Sequence, residues 1–167
     1  MRWFLFCMMG LVLAGCGAGQ PPNPIDASAI VPGTRIGKVA LQDTRADVLE
    51  ALGTPDHTWT AEHNPGLYLE GWDEPEDHQL FVYYRDEIVV QIHITSPAYT
   101  TPEGFSTATH GDTLRTRLAP LEPFINPYEV GLTYYDAVDK GIAFVATNTG
   151  VTRALFIHVP GTEMLIL

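Results

Sequence analysis

Cysteine is nearly absent: the 167-residue chain has two, Cys7 and Cys16, and none after residue 16. Beyond that point a disulfide, a thiol nucleophile, an iron–sulfur cluster and a Cys-rich zinc site are all excluded. Stability must come from packing. Cations are scarce as well. Nine Lys and Arg stand against 20 Asp and Glu, a formal charge of −11. A field of that sign repels nucleic acid and anionic headgroups, so neither is an expected electrostatic partner. Enzyme signatures are missing too, with no Gly-x-Ser-x-Gly, no phosphate-cradling glycine loop and no paired His at helical spacing. No catalytic residue and no cofactor is therefore expected. No apolar run reaches the roughly 20 residues that span a bilayer. The longest, Trp3 to Leu13, follows a single cation, Arg2. An apolar fraction of 46% still supports a real core.

That short run leads into Leu11-Val-Leu-Ala-Gly-Cys16. Start, apolar core, small residues and Cys fall in the order that resembles a bacterial lipoprotein signal peptide. The resemblance implies a signal over 1–15, cleavage before Cys16, acylation of its sulfur and attachment to a membrane through lipid. Gly17 in place of Asp after the Cys resembles the sorting pattern of outer-membrane lipoproteins. It implies a location in the cell envelope, on the outer membrane facing the periplasm. Residues 16–34 then run from Cys16 through Gly17-Ala-Gly-Gln-Pro-Pro-Asn-Pro24 and onward without a hydrophobic period. Such a stretch reads as a semi-extended tether, with the globular part over 35–167.

Within 35–167 the pattern alternates between helix and strand. Thr44-Arg-Ala-Asp47 matches a capping box, Val48, Leu49 and Leu52 share one helical face, and Gly53 with Pro55 ends the run. A helix over 44–52 follows. Leu67–Trp72, Gln79–Tyr84 and Ile88–Ile94 carry strand chemistry, with Arg85-Asp-Glu87 as a hairpin loop. Thr109-His-Gly-Asp112 is a second capping-box match before Leu114 and Leu118. Strands are expected again at 131–136, 142–147 and 151–159, with Asn148-Thr-Gly150 as a turn. At an offset of 65, Thr44 matches Thr109, Asp47 matches Asp112, Pro55 matches Pro120 and Ile92-His93 matches Ile157-His158. The spacing predicts an α+β fold of two tandem modules, over 39–97 and 104–162, each a short capped helix followed by an antiparallel meander sheet.

The helix Asp43-Thr-Arg-Ala-Asp-Val-Leu-Glu-Ala-Leu-Gly-Thr-Pro-Asp56 leading into a meander resembles the β-lactamase inhibitor protein-like fold. The small lipoprotein of the outer-membrane β-barrel assembly machinery is similar. The resemblance implies a protein-binding role on a sheet surface, as an assembly accessory or an inhibitor. It transfers no target.

Four features carry candidate function. In 79–84, Leu80, Val82 and Tyr84 share one face, while Phe81 and Tyr83 share the other. Helices that cover one face leave the second as a partner surface, with Trp59, Trp72, Tyr83 and Tyr135 as expected anchors. The acidic loop Asp73–His78 could gather a metal or small ligand, although a solvated turn explains it better. His93 and His158 sit at matching places and read mainly as half-exposed sheet residues. His57 and His63, flanking Trp59, read as loop residues.

The acylation reading has a direct test. A Cys16→Ala variant should lose incorporation of labelled palmitate and leave the detergent phase on partitioning; retention of both defeats it.

Overall fold

A computed structural model describes residues 27–61, 66–127 and 129–166. Cys16, His63 and most of the tether lie outside the described residues. The fold begins earlier than Arg35, however. Ile30–Val31 forms strand β1, pairing antiparallel with β2 (Arg35–Ile36), which pairs with β3 (Val39–Ala40). Ile30, Ile36 and Val39 are fully buried. The tether therefore stops short of residue 34, because Ile30 is too apolar to stay in water.

Helix α1 spans Arg45–Leu52, and the capping box is complete. The Asp47 amide donates to Thr44 Oγ1, and Asp47 Oδ2 accepts from the Thr44 amide at 2.9 Å. Gly53 ends the helix at φ 85°, a value that only glycine adopts at little cost. Helix α2 spans Gly111–Leu118, but its cap is His110, whose Nδ1 accepts from the Asp112 amide. The expected Thr109 cap is displaced by one residue, because the Thr109 hydroxyl accepts from the Ser106 amide at 3.0 Å and its carbonyl accepts from the Thr152 hydroxyl at 2.6 Å.

The remaining strands are β4 (His57–Thr60), β5 (Leu67–Glu74), β6 (His78–Arg85), β7 (Ile88–Ile94), β8 (Glu122–Phe124), β9 (Leu132–Ala137), β10 (Ile142–Thr147) and β11 (Thr152–His158). Asp86 and Glu87 turn the β6–β7 hairpin at positive φ, and Gly150 turns β10 into β11. These eight strands form one antiparallel sheet in the order β4-β5-β6-β7-β11-β10-β9-β8. This corrects the expected fold class. The protein is mostly β, with a three-stranded and an eight-stranded sheet and two short helices, and it is not a pair of helix-plus-meander modules. The reason is the central pair. Strands β7 and β11 would each end a separate sheet, yet they bond to each other, Ile92 opposite Ile157 and His93 opposite Phe156.

One core follows from that join. Leu80, Val82, Ile92, Ile94, Ile142, Phe144, Leu155 and Ile157 belong to a single buried cluster. Val48 of α1, Leu114 and Leu118 of α2 and the small sheet's Ile30, Ile36 and Val39 belong to it as well. Helices and small sheet thus lie together on one face of the large sheet.

That covered face also holds a charge. Glu70 is 1% exposed, and its Oε1 accepts from Arg45 Nε at 3.0 Å and Nη2 at 2.7 Å, tying β5 to α1. Burial and the adjacent Glu70 carboxylate push the Tyr84 hydroxyl above its ordinary range. Because Arg45 is partly exposed, its loss costs mainly through the carboxylate left behind. Arg45→Ala should destabilise the fold by about 2–3 kcal/mol, read as a lower urea midpoint. The pair Arg45→Met with Glu70→Leu should recover most of that loss.

Candidate functional site

Alternation gives the second face of the sheet the opposite set of side chains. Facing residues on adjacent strands share a face, so the register defines a transverse line: His57, Gly71, Phe81, His93, Phe156, Ala143, Asp136. Trp59, Leu69, Tyr83 and Gln91 form the line on one side of it. Ala154, Val145, Tyr134 and Phe124 form the line on the other.

The rings on these lines touch in sequence. Trp59 lies 5.7 Å from Phe81 between centroids, Phe81 5.0 Å from His93, and His93 4.3 Å from Phe156. Phe156 lies 6.1 Å from Tyr134, which lies 6.4 Å from Phe124. His57 adds a ring beside Trp59 at 5.3 Å. The row crosses the sheet from edge to edge, and both ends are open to solvent, Trp59 at 44% and Phe124 at 48%. Two strands contribute almost no bulk. On β5, a Cβ at Gly71 would fall 3.1 Å from both Phe81 and Trp59, so a side chain there would press on both rings. On β10 the corresponding position is Ala143.

The four expected anchors do not gather. Trp59 holds its place on the helix-free face. Tyr83 shares that face but is 7% exposed, and burial pushes its hydroxyl up to about 12, so it offers a partner little surface. Trp72 is also 7% exposed and faces the helices, its indole donating to the Gly53 carbonyl at 3.3 Å. Tyr135 sits on the helix side as well, stacked 4.9 Å from Phe144 beneath the Arg115 guanidinium. Trp72 and Tyr135 thus serve the core. Sequence reasoning missed Phe81, His93, Phe156, Tyr134 and Phe124 as a set. The signal was present in the alternation of β6, where Phe81 opposes Leu80 and Val82.

The acidic loop's carboxylates bond to neighbouring protein groups. Asp73 Oδ1 bonds His57 Nε2 at 3.2 Å and Gln79 Nε2 at 3.1 Å, and Glu74 Oε1 accepts from the Tyr99 hydroxyl at 3.0 Å. Among the described residues no three His, Cys, Asp or Glu side chains converge on a metal position. These contacts staple the β5–β6 hairpin to its neighbours.

The two sheet histidines part company. His158 is 1% exposed, not half-exposed; its Nε2 meets Asp136 Oδ1 at 2.8 Å and its Nδ1 meets the Val159 carbonyl at 3.2 Å. Asp136 Oδ2 accepts from the Met164 amide at 2.9 Å. The pair thus ties the Val159 carbonyl and the Met164 amide together through two side chains. His93 is half-buried, and its Nε2 is enclosed and meets no partner among the described residues.

Burial lowers His93 to about 3 from an ordinary value near 6.5. With the folded value below the unfolded one, the unfolded chain takes the proton first as pH falls. Stability should drop from pH 6.5 downward toward pH 3, with a slope of up to about 1.4 kcal/mol per pH unit from this group. His93→Leu should flatten the urea midpoint between pH 6.5 and 5, above the main carboxylate range; an unchanged slope refutes the assignment.

No known family model matches the chain, and no curated protein matches it. Similar solved structures exist at low identity. The uncharacterized protein yfeY of Escherichia coli aligns with a TM-score of 0.55 at 8% identity, over 78% of this chain and 97% of its own. A cysteine-rich secretory protein of Staphylococcus aureus aligns at 0.50 and 10% identity, over 80% and 49%. An extracellular SCP-domain protein of Bacillus anthracis aligns at 0.48 and 8% identity, over 72% and 44%. This chain spans less than half the length of those last two. The likeness to yfeY is one of fold alone.

Proposed function

We propose that this chain is an exported, lipid-anchored envelope protein that binds another protein, without catalysis, through the helix-free face of its large sheet. The observation that carries the reading is the ring row from Trp59 to Phe124. Aromatic rings make strong anchors because each buries a large apolar area at little rotamer cost. Trp72 and Tyr135 are placed toward the helices, and the middle of the row, Tyr134 and Phe156, is buried in a small second cluster on the other face. Here a line of rings faces away from the helices and ends in exposed Trp59 and Phe124.

The remaining parts of the reading rest on other supports. The lipoprotein-like order ending at Cys16 supports export and anchoring, and Gly17 supports the outer membrane. A sheet-surface role is also what the resemblance of Asp43–Asp56 implies. Among described helices none is long and apolar enough to cross a membrane. One structural neighbour is described as secretory, which accords with export.

A photo-crosslinking residue tests the face. Placed at position 59 in the native envelope it should give one discrete protein adduct, while the same residue at Glu50, on the exposed side of α1, should give none. Phe81→Ala should weaken that capture by about thirtyfold, the equivalent of roughly 2 kcal/mol for a central anchor. Equal adducts from both positions, or none from either, overturn the reading.

A further inference from the structure

The helix-free face already carries an occupant, the segment that follows β11. After Val159 the chain turns back, with the Gly161 amide donating to the Val138 carbonyl at 2.9 Å and the Thr162 amide to the Val159 carbonyl at 3.0 Å. Residues 163–166 then run over the sheet without regular secondary structure. Met164 and Ile166 pack against Tyr134, Ala143, Val145, Ala154 and Phe156, a cluster separate from the main core. Alternate residues face the sheet, as in a strand laid flat upon it.

The grip on this segment is through its main chain. Gln91, itself fully buried in β7, meets Leu165 at two points: its Oε1 accepts from the Leu165 amide at 2.7 Å, and its Nε2 donates to the Leu165 carbonyl at 2.9 Å. One residue earlier, Asp136 Oδ2 accepts from the Met164 amide at 2.9 Å, with His158 fixing the carboxylate from behind. A side-chain amide that pairs both polar groups of one residue reproduces a rung of a β-ladder. Main-chain groups are common to every sequence, so such a rung reads extended backbone, and only the apolar positions on either side of it discriminate.

We infer that Gln91, Asp136 and the Tyr134–Val145–Phe156 surface form a clamp for an extended apolar peptide segment of the partner protein, and that residues 162–166 fill it in the free protein as a displaceable strap. This rests on the helix-free face being the partner surface and names what that partner presents: a backbone with apolar side chains two residues apart. The strap covers Phe156 and Tyr134 in the middle of the ring row, so its release joins the row into one uninterrupted surface. The strap's exposed outer side and its lack of ladder bonds suit replacement. Beyond the turn at Thr162, three main-chain bonds and two side chains hold it to the sheet, a set that a partner segment can match.

The test uses the full chain and, as probe, a fluorophore-labelled pentapeptide with the sequence of residues 162–166. Met164→Asn with Ile166→Asn weakens the strap and leaves the clamp intact. Fluorescence polarisation should show the peptide binding this variant at least tenfold more tightly than the native chain, since the tethered strap competes at high effective concentration. Adding Gln91→Leu should reduce that binding at least tenfold. Equal affinity for native and variant chains, or binding by neither, overturns the clamp. Should the variant fail to fold by circular dichroism, hydrogen exchange on the native chain decides. The Met164 and Leu165 amides should exchange at least a hundredfold faster than those of Phe144 and Leu155, and equal protection overturns displacement. Capture at position 59 involves none of these residues, so failure there leaves the peptide result standing and the reverse holds too.

Discussion

The antiparallel pairing of β7 with β11 is the constraint on which the rest of the structure depends. It sets Ile92 against Ile157 on one face and His93 against Phe156 on the other. On the helix side that register brings Val48 of α1 and Leu114 of α2 into one apolar cluster. On the opposite side it places His93 within 4.3 Å of Phe156, closing the gap between rings contributed by β4 and β6 and rings contributed by β9 and β8. A shift of one residue would exchange the faces, sending His93 into the core and Ile92 into the ring row. Core and candidate site are thus two readings of a single hydrogen-bond ladder.

The exchange is guarded from the covered side. Glu70 and Tyr84 are polar groups among apolar ones, and the bonds from Arg45 to Glu70 Oε1 exist only when α1 sits above β5 as observed. A buried carboxylate in another register would lose that partner, at a cost of several kcal/mol. Polar burial here adds little net stability. It does penalise the wrong alignment, which matters for a sheet whose two faces are both rich in large apolar residues.

Legibility in the sequence followed the strength of local signals. Helix α1 was readable because Thr44, Asp47 and Gly53 act within one turn of each other, and six long strands were readable from their Val, Ile and Tyr content. The short elements were not. His57-Thr-Trp-Thr60 has no alternation to detect, Glu122-Pro-Phe124 carries a proline suited only to an edge, and Ile30 sat behind a Pro- and Gly-rich stretch. The second cap was misread by one residue because the Thr109 hydroxyl is taken by the Ser106 amide, and its carbonyl by the Thr152 hydroxyl 43 residues away. The site was legible by halves. Alternation within β6 separated Phe81 from Leu80, but adjacent aromatics such as Tyr134 and Tyr135 face opposite ways, and nothing local says which of them meets the helices. Register between strands decides that, and register is non-local, set in part by the bulge at Tyr83/Tyr84.

Small residues explain how so many rings occupy one face. Centroids on adjacent strands can touch directly, as Phe81, His93 and Phe156 do. Trp59 and Phe81 lie on strands separated by β5, and Tyr134 and Phe156 on strands separated by β10. Contact across an intervening strand is possible only where that strand presents almost nothing, and Gly71 and Ala143 are what β5 and β10 present on the central line. A side chain at Gly71 would meet both Trp59 and Phe81 at 3.1 Å and force them apart. Glycine inside a strand weakens it by roughly 0.5–1 kcal/mol relative to alanine. The Trp59–Phe81 contact it permits is worth about 0.5–1.5 kcal/mol, so the exchange comes out roughly even. The gain in position exceeds the gain in energy, because Trp59 would otherwise project from the edge strand into water, apart from the row it now terminates.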